Sequence, residues 1–164
     1  MKKRLTALAL LPVLLLALAA GCGKKDGADA PADPDPAALC KALLDGAPFD
    51  DQLDETDADA ALTVFGVDES LVESCVAYMG TGATAEEVAV LRAADADGAK
   101  AVQTALEAHL QQQKDDFADY APAEVPKIED AVLAVTGRTV VLCVSADGGK
   151  AQAALDAFGA ASQS

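Results

Sequence analysis

The sequence predicts an α+β domain: a four-stranded antiparallel sheet from two β-hairpins, packed against a long helix and a C-terminal helix, in the order α(α)ββαββα. Three observations carry this. Residues 71–79 and 85–93 alternate around the loop Gly80-Thr81-Gly82, which reads as one hairpin. Residues 130–135 and 138–145 flank a turn at Gly137 and read as a second. Between them, residues 95–119 repeat apolar side chains at helical spacing.

In chain order, Asp35-Pro36 supplies a helix N-cap followed by proline at the first helical position. Leu39, Leu43 and Leu44 form the apolar stripe of that helix, and Gly46 with Pro48 closes it. Residues 57–61 favour a short helix that turns Leu62 and Phe65 inward and stops at Gly66. In the first hairpin, Val72, Val76 and Tyr78 share one side of their strand, and Val88 and Val90 share one side of the next. The long helix takes Asp95 or Asp97 as its cap, turns Val102, Leu106, Leu110 and Phe117 inward, and ends at Tyr120-Ala121-Pro122. For the second hairpin, a two-residue type II′ turn at Gly137-Arg138 sets Val135 opposite Val140 and Leu133 opposite Leu142. Ala131, Leu133, Val135, Val140, Leu142 and Val144 then make one apolar face, with Thr139 on the other. A last helix after Asp147-Gly148-Gly149 directs Ala151, Leu155 and Phe158 inward, and both it and the long helix are expected on the apolar face.

Ahead of this domain stands an address. Lys2, Lys3 and Arg4 precede an Ala/Leu-rich run over residues 5–18, and Leu18-Ala19-Ala20-Gly21-Cys22 closes it, the pattern of a bacterial lipoprotein signal. A membrane span needs about 20 apolar residues, and this run is shorter. A thiol at Cys22 can form a thioether to diacylglycerol, with cleavage between Gly21 and Cys22, where small residues fit the peptidase. The expected organisation is therefore a signal peptide at 1–21, a lipid-anchored flexible tether at 22–36 and a single α+β domain at 37–160. The tether has no large apolar residue and three prolines, so it cannot bury enough surface to fold. In polyproline II it would reach about 40 Å, at about 3.1 Å per residue. The expected location is the extracytoplasmic face of the cell membrane, with the membrane as a partner through the lipid on Cys22.

Charge narrows the function classes. The chain carries a formal charge of −15, and removing the leader's Lys2, Lys3 and Arg4 takes it to −18. Nucleic acid as a partner is excluded, because its phosphates need Lys and Arg to neutralise them. Such an acidic surface provides solubility and attracts cations. Lys24 and Lys25 sit beside the lipid, where positive charge favours anionic headgroups.

Several short stretches resemble a known family. They are Glu86-Glu87-Val88-Ala89-Val90 with the following Asp95, Gln111-Gln112-Gln113 at the end of the long helix, Tyr120-Ala121-Pro122, and Gly137-Arg138-Thr139-Val140-Val141-Leu142. With the order of elements, over residues 36–158, the chain resembles small lipoproteins of Gram-positive gut bacteria that carry an uncharacterised domain of unknown function. The resemblance implies a cell-surface lipoprotein and brings no activity or catalytic residue.

Candidate chemistry in the folded part is sparse. His109 is the only histidine, on the stripe of Val102, Leu106 and Gln113. It lacks a second nitrogen ligand for zinc, and a packing or capping role is expected. Asp95-Ala96-Asp97-Gly98 looks like the start of a calcium loop, but glycine comes fourth rather than sixth, so a helix N-cap is expected instead. Asp50, Asp51, Asp54, Glu55, Asp57 and Asp59 read as a solvated acidic face. Cys40, Cys75 and Cys143 form no CxxC pair and allow at most one disulfide among themselves. By the strand phases above, Cys75 and Cys143 fall on the sheet face opposite the apolar one, and small buried hydrophobes are expected. No catalytic residue, metal ligand or cofactor is therefore assigned. A non-enzymatic binding or assembly module is the leading expectation, with a protein or small-ligand partner left open. The alternatives are a carboxylate-dependent hydrolase and a structural cell-envelope protein that self-associates through an exposed sheet face.

Overall fold

The computed structural model describes residues 33–162. The leader, Gly21, Cys22 and the tether up to residue 32 lie outside the described residues.

Aspartate caps four of the five α-helices among the described residues, which gives part of the acidic composition a structural use. Asp35 Oδ1 accepts from the Ala38 amide at 2.8 Å and opens α1 (Pro36–Gly46). Asp57 caps α2 (Ala58–Phe65), which Gly66 ends in the left-handed region at φ +65°. Asp95 Oδ1 accepts from the Gly98 amide at 2.7 Å at the head of α3 (Ala96–Tyr120), so the calcium-like stretch is an N-cap. Asp147 does the same for α5 (Gly148–Ala161) through the Lys150 amide. Each such cap contributes about 1 kcal/mol and places a negative charge at the positive end of the helix dipole. A five-residue helix, α4 (Val125–Glu129), follows α3 with Pro126 in its first turn.

The strands are β1 (Asp54–Thr56), β2 (Val72–Met79), β3 (Glu87–Ala93), β4 (Val132–Thr136) and β5 (Thr139–Val144). They form one antiparallel sheet in the order β1-β2-β3-β5-β4. Both expected hairpins are present, and the second has the expected register, with Leu133 opposite Leu142 and Val135 opposite Val140. Gly137 in its turn has φ +59°, as the first central residue of either primed turn requires. The sheet has five strands rather than four. The added strand, β1, is the acidic tripeptide Asp54-Glu55-Thr56 on the β2 edge, and its polar sequence carries no alternation. Short, charged edge strands of this kind protect a sheet from pairing with other chains.

The larger correction concerns layers. Pairing of β3 with β5 puts the two hairpins' inner strands at the centre, where every residue of β5 and all but Arg92 of β3 is buried. One face carries Ala89, Leu91, Val140, Leu142 and Val144, against Phe65 of α2, Val102, Leu106 and Phe117 of α3, and Ile128 of α4. The other carries Val88, Val90, Val132, Val141 and Cys143, against Leu39, Cys40 and Leu43 of α1 and Ala151 of α5. The long helix and the C-terminal helix therefore cover opposite faces, not the same one. Thr139, expected on an open face, is fully buried for the same reason. The apolar sets assigned to each strand are largely right. Those of the first hairpin (Val76, Tyr78, Val88, Val90) and of the second (Leu133, Leu142) look to different layers, and Val72, expected beside Val76, faces the α3 layer because the register shifts between Val72 and Ser74.

The cysteines follow this division. Cys75 packs with the α3 layer and Cys143 with the α1 layer, so they do not share a face, and all three described thiols are free. Burial pushes Cys40 and Cys143 up to about 12 and Cys75 to about 11.

Residues 33–36, expected to belong to a flexible tether, are instead tied to the fold or begin α1. Asp33 accepts from both the backbone and Nε of Arg138 at 3.0 Å, and Arg92 donates to the carbonyl oxygens of Asp33 and Pro34. A Cβ on Gly137 would stand 2.6 Å from Asp33 Oδ1, so this turn needs glycine for space as well as for φ.

If both faces are packed, Leu142→Ala on one side and Leu43→Ala on the other should each cost about 2–5 kcal/mol in denaturant unfolding. Both side chains are fully buried. A loss below about 1 kcal/mol at Leu43 would mean that the α1–α5 layer is not part of the core.

Candidate functional site

Glu87 opens β3 and Glu86 directly precedes it, and neighbours along an extended chain point to opposite sides. Glu86 turns towards the loop after α1. Its fully buried carboxylate accepts from the Asp50 amide at 2.8 and 3.0 Å, the Asp51 amide at 2.9 Å and Lys127 Nζ at 3.0 Å. Lys127, on α4, also reaches Asp50 Oδ2 at 2.8 Å and Glu124 Oε2 at 3.1 Å. Glu124 in turn accepts from the Ala85 amide. Burial works against the charge on Lys127, but its hydrogen bonds to three carboxylates outweigh this and hold the ammonium above its usual range. This cluster ties the residue 50–51 loop and α4 to the start of β3.

Glu87 turns the other way, towards α3. Its Oε1 lies 2.8 Å from His109 Nε2, and the two side chains are 4% and 8% exposed. The imidazole stands edge-on to Phe65, with centroids 5.1 Å apart at 80°. His109 is thus buried on the stripe expected for it, with a carboxylate partner that the sequence did not pair with it. One turn further along α3, Gln113 Oε1 is buried with no hydrogen-bond partner. Phe117 and Tyr120 follow, their rings 4.8 Å apart.

Glu87, Gln113, Phe117 and Tyr120 line a cavity of about 190 Å³ at the end of the β2–β3 hairpin. Met79, which pairs with Glu87 across the ladder, and the hairpin loop complete its wall. That loop is fixed from outside the cavity: Asp51 Oδ2 accepts from the Thr81 amide at 2.9 Å and from the Thr81 and Thr84 hydroxyls. These bonds, the Thr81 amide first, hold the Asp51 carboxyl below its usual range. At the mouth stand Val64 and Tyr120, 55% and 61% exposed, two of the three large exposed hydrophobics among the described residues.

A second, wider recess of about 1220 Å³ runs between α1, β4–β5 and α5, over Leu39, Val141 and Phe158. Thr139 Oγ1, buried and without a hydrogen-bond partner, lies in its wall.

The acidic residues grouped in sequence do not converge in space on one ligand. Asp50 pairs with Lys127, Asp51 holds the hairpin loop, Asp54 and Glu55 form the edge strand, and Asp57 caps α2. Among the described residues no three His, Cys, Asp or Glu side chains gather as a metal site. Neither the Glu86–Lys127–Glu124 cluster nor the Glu87–His109 pair was foreseen from the sequence. The signal was there: two glutamates directly precede the apolar run Val88-Ala89-Val90-Leu91, where at least one must be buried.

Because Glu86 is fully buried and Lys127 nearly so, Glu86→Gln should cost about 3–5 kcal/mol. It sets an amide donor against existing donors and leaves the ammonium short of a partner. Asp50→Asn, at an exposed carboxylate on the same lysine, should cost under about 1 kcal/mol. Equal losses in thermal or urea unfolding would mean that Glu86 does not anchor the cluster.

No curated protein and no solved structure matches the chain. The family described as "Domain of unknown function (DUF4358)" matches residues 48–145, more than half of the chain. The match takes in all five strands, α2, α3 and α4, and with them both glutamates, Lys127 and the hairpin-end cavity. The helices α1 and α5 lie outside it. On the strength of that match the chain belongs to the DUF4358 family of domains of unknown function.

Proposed function

We propose that the protein is a lipid-anchored binding module on the extracytoplasmic face of the cell membrane, held by a thioether at Cys22 after cleavage behind Gly21. The cationic n-region, the apolar run and the Gly21-Cys22 junction support the anchor. The Gram-positive lipoprotein setting that the sequence resembles belongs to the same proposal. The observation that carries binding is the hairpin-end cavity. Its polar wall is built from buried groups held by packing and hydrogen bonds, and its mouth exposes Val64 and Tyr120. A concave site with apolar walls and a few fixed polar groups is the kind that holds a ligand, and at about 190 Å³ this one suits only a small ligand or a side chain.

Binding is favoured over hydrolysis by what the carboxylates already do. Glu86 holds two backbone amides and Lys127, and Glu87 holds His109, so both serve the framework. Self-association through an open sheet face is disfavoured because α1 and α5 cover the face it would use.

The anchor is tested by metabolic labelling with a fatty-acid analogue: wild type should carry label in the membrane fraction, and Cys22→Ser should carry none. Equal label on both would overturn the lipid attachment.

A further inference from the structure

The hairpin-end cavity offers acceptors and aromatic surface in an arrangement that specifies a chemical class. We infer that it binds a small primary ammonium, the head of an organic amine or of a lysine side chain. This rests on the binding reading above and names its ligand class.

Four features point the same way. Glu87 brings a buried carboxylate to the wall, with one oxygen on His109 and a second acceptor on the same group. Gln113 Oε1 lies in the same wall, buried and without a hydrogen-bond partner. An orphaned buried acceptor is a standing cost to the fold, which a ligand N–H removes. Phe117 and Tyr120 line the cavity with their rings 4.8 Å apart, and an aromatic ring attracts a cation through its quadrupole. The nearby lysine, Lys127, is already tied to Glu86, Asp50 and Glu124, so it does not compete for Glu87.

Size sets the rest. About 190 Å³ corresponds to roughly six waters at ~30 Å³ each. A four-carbon chain with an ammonium head fills that space, its methylenes against Met79, Phe117 and Tyr120. A carboxylate ligand would face Glu87 and the oxygen of Gln113, both acceptors. A quaternary ammonium would gain the aromatic contact but give no N–H to Gln113.

The test is titration of the folded protein with n-butylammonium, tetramethylammonium, n-butanol and butyrate, followed by NMR shifts of the Gln113 side-chain amide and the Tyr120 ring. Butylammonium should bind at least ~tenfold tighter than butanol or tetramethylammonium, the ratio that about 1.4 kcal/mol of added hydrogen bonding gives. Its affinity should fall as salt rises. Gln113→Leu and Tyr120→Ala should each weaken it several-fold; both sites are partly or largely exposed, so the fold is kept, whereas Glu87→Gln would break the buried pair with His109. An acetylated Lys-Gly dipeptide competing with butylammonium would identify the lysine source, and its failure to compete would identify the free amine. Butanol or butyrate binding as tightly would overturn the ammonium class while leaving a binding cavity. Silence of all four probes at Gln113 and Tyr120 would overturn the cavity as a binding site altogether.

Discussion

The pairing of β3 with β5 holds the two hairpins together, and the rest of the domain is arranged around burying that ladder on both sides. Six register pairs run from Glu87–Val144 to Arg92–Thr139, through the apolar stretches Val88-Ala89-Val90-Leu91 and Val140-Val141-Leu142-Cys143-Val144. Two apolar strands side by side leave no face for water, so helices must cover both. α3 with α2 does so on one side, α1 with α5 on the other. Alanine-rich helices suit this role because small side chains allow close approach. A Cβ on Gly46 would stand 2.6 Å from that of Ala154, where α1 meets α5.

Burying a sheet on both faces leaves its polar ends to be satisfied, and at the start of β3 the sequence does this with two adjacent glutamates. Adjacent residues point their side chains apart, so the two carboxylates take different partners. Glu86 fastens the loop after α1 and, through Lys127, the short helix α4; Glu87 fastens His109 of α3. The same strand end thereby fixes the framework on one face and one wall of the hairpin-end cavity on the other. Function and stability meet at one dipeptide, whose two carboxylates fasten different segments of the chain.

Much of this was legible beforehand. The aspartate caps, the glycine stop at Gly66 and the second hairpin's register each rest on local chemistry that the structure keeps. What failed was the assembly of local signals into layers. A β3 reading Val88-Ala89-Val90-Leu91 is a continuous apolar run, the pattern of a strand buried twice, and treating it as alternation implied one open face. β1 and α4 were missed because three acidic residues and a five-residue helix carry too little pattern to stand out. The Glu87–His109 pair and the Asp33–Arg138 clamp, 22 and 105 residues apart in sequence, exist only once the strands have chosen partners. No spacing rule links such positions.

Native-state hydrogen exchange tests the doubly buried ladder most directly. The amides of residues 88–91 and 140–144 should exchange only through global unfolding, with opening free energies within about 1 kcal/mol of the denaturant-derived stability and of one another. Edge residues 54–56 should open at far lower cost. If β5 amides exchanged through a separate, lower-energy opening while β3 stayed protected, the two hairpins would be independent units and the central claim would fail.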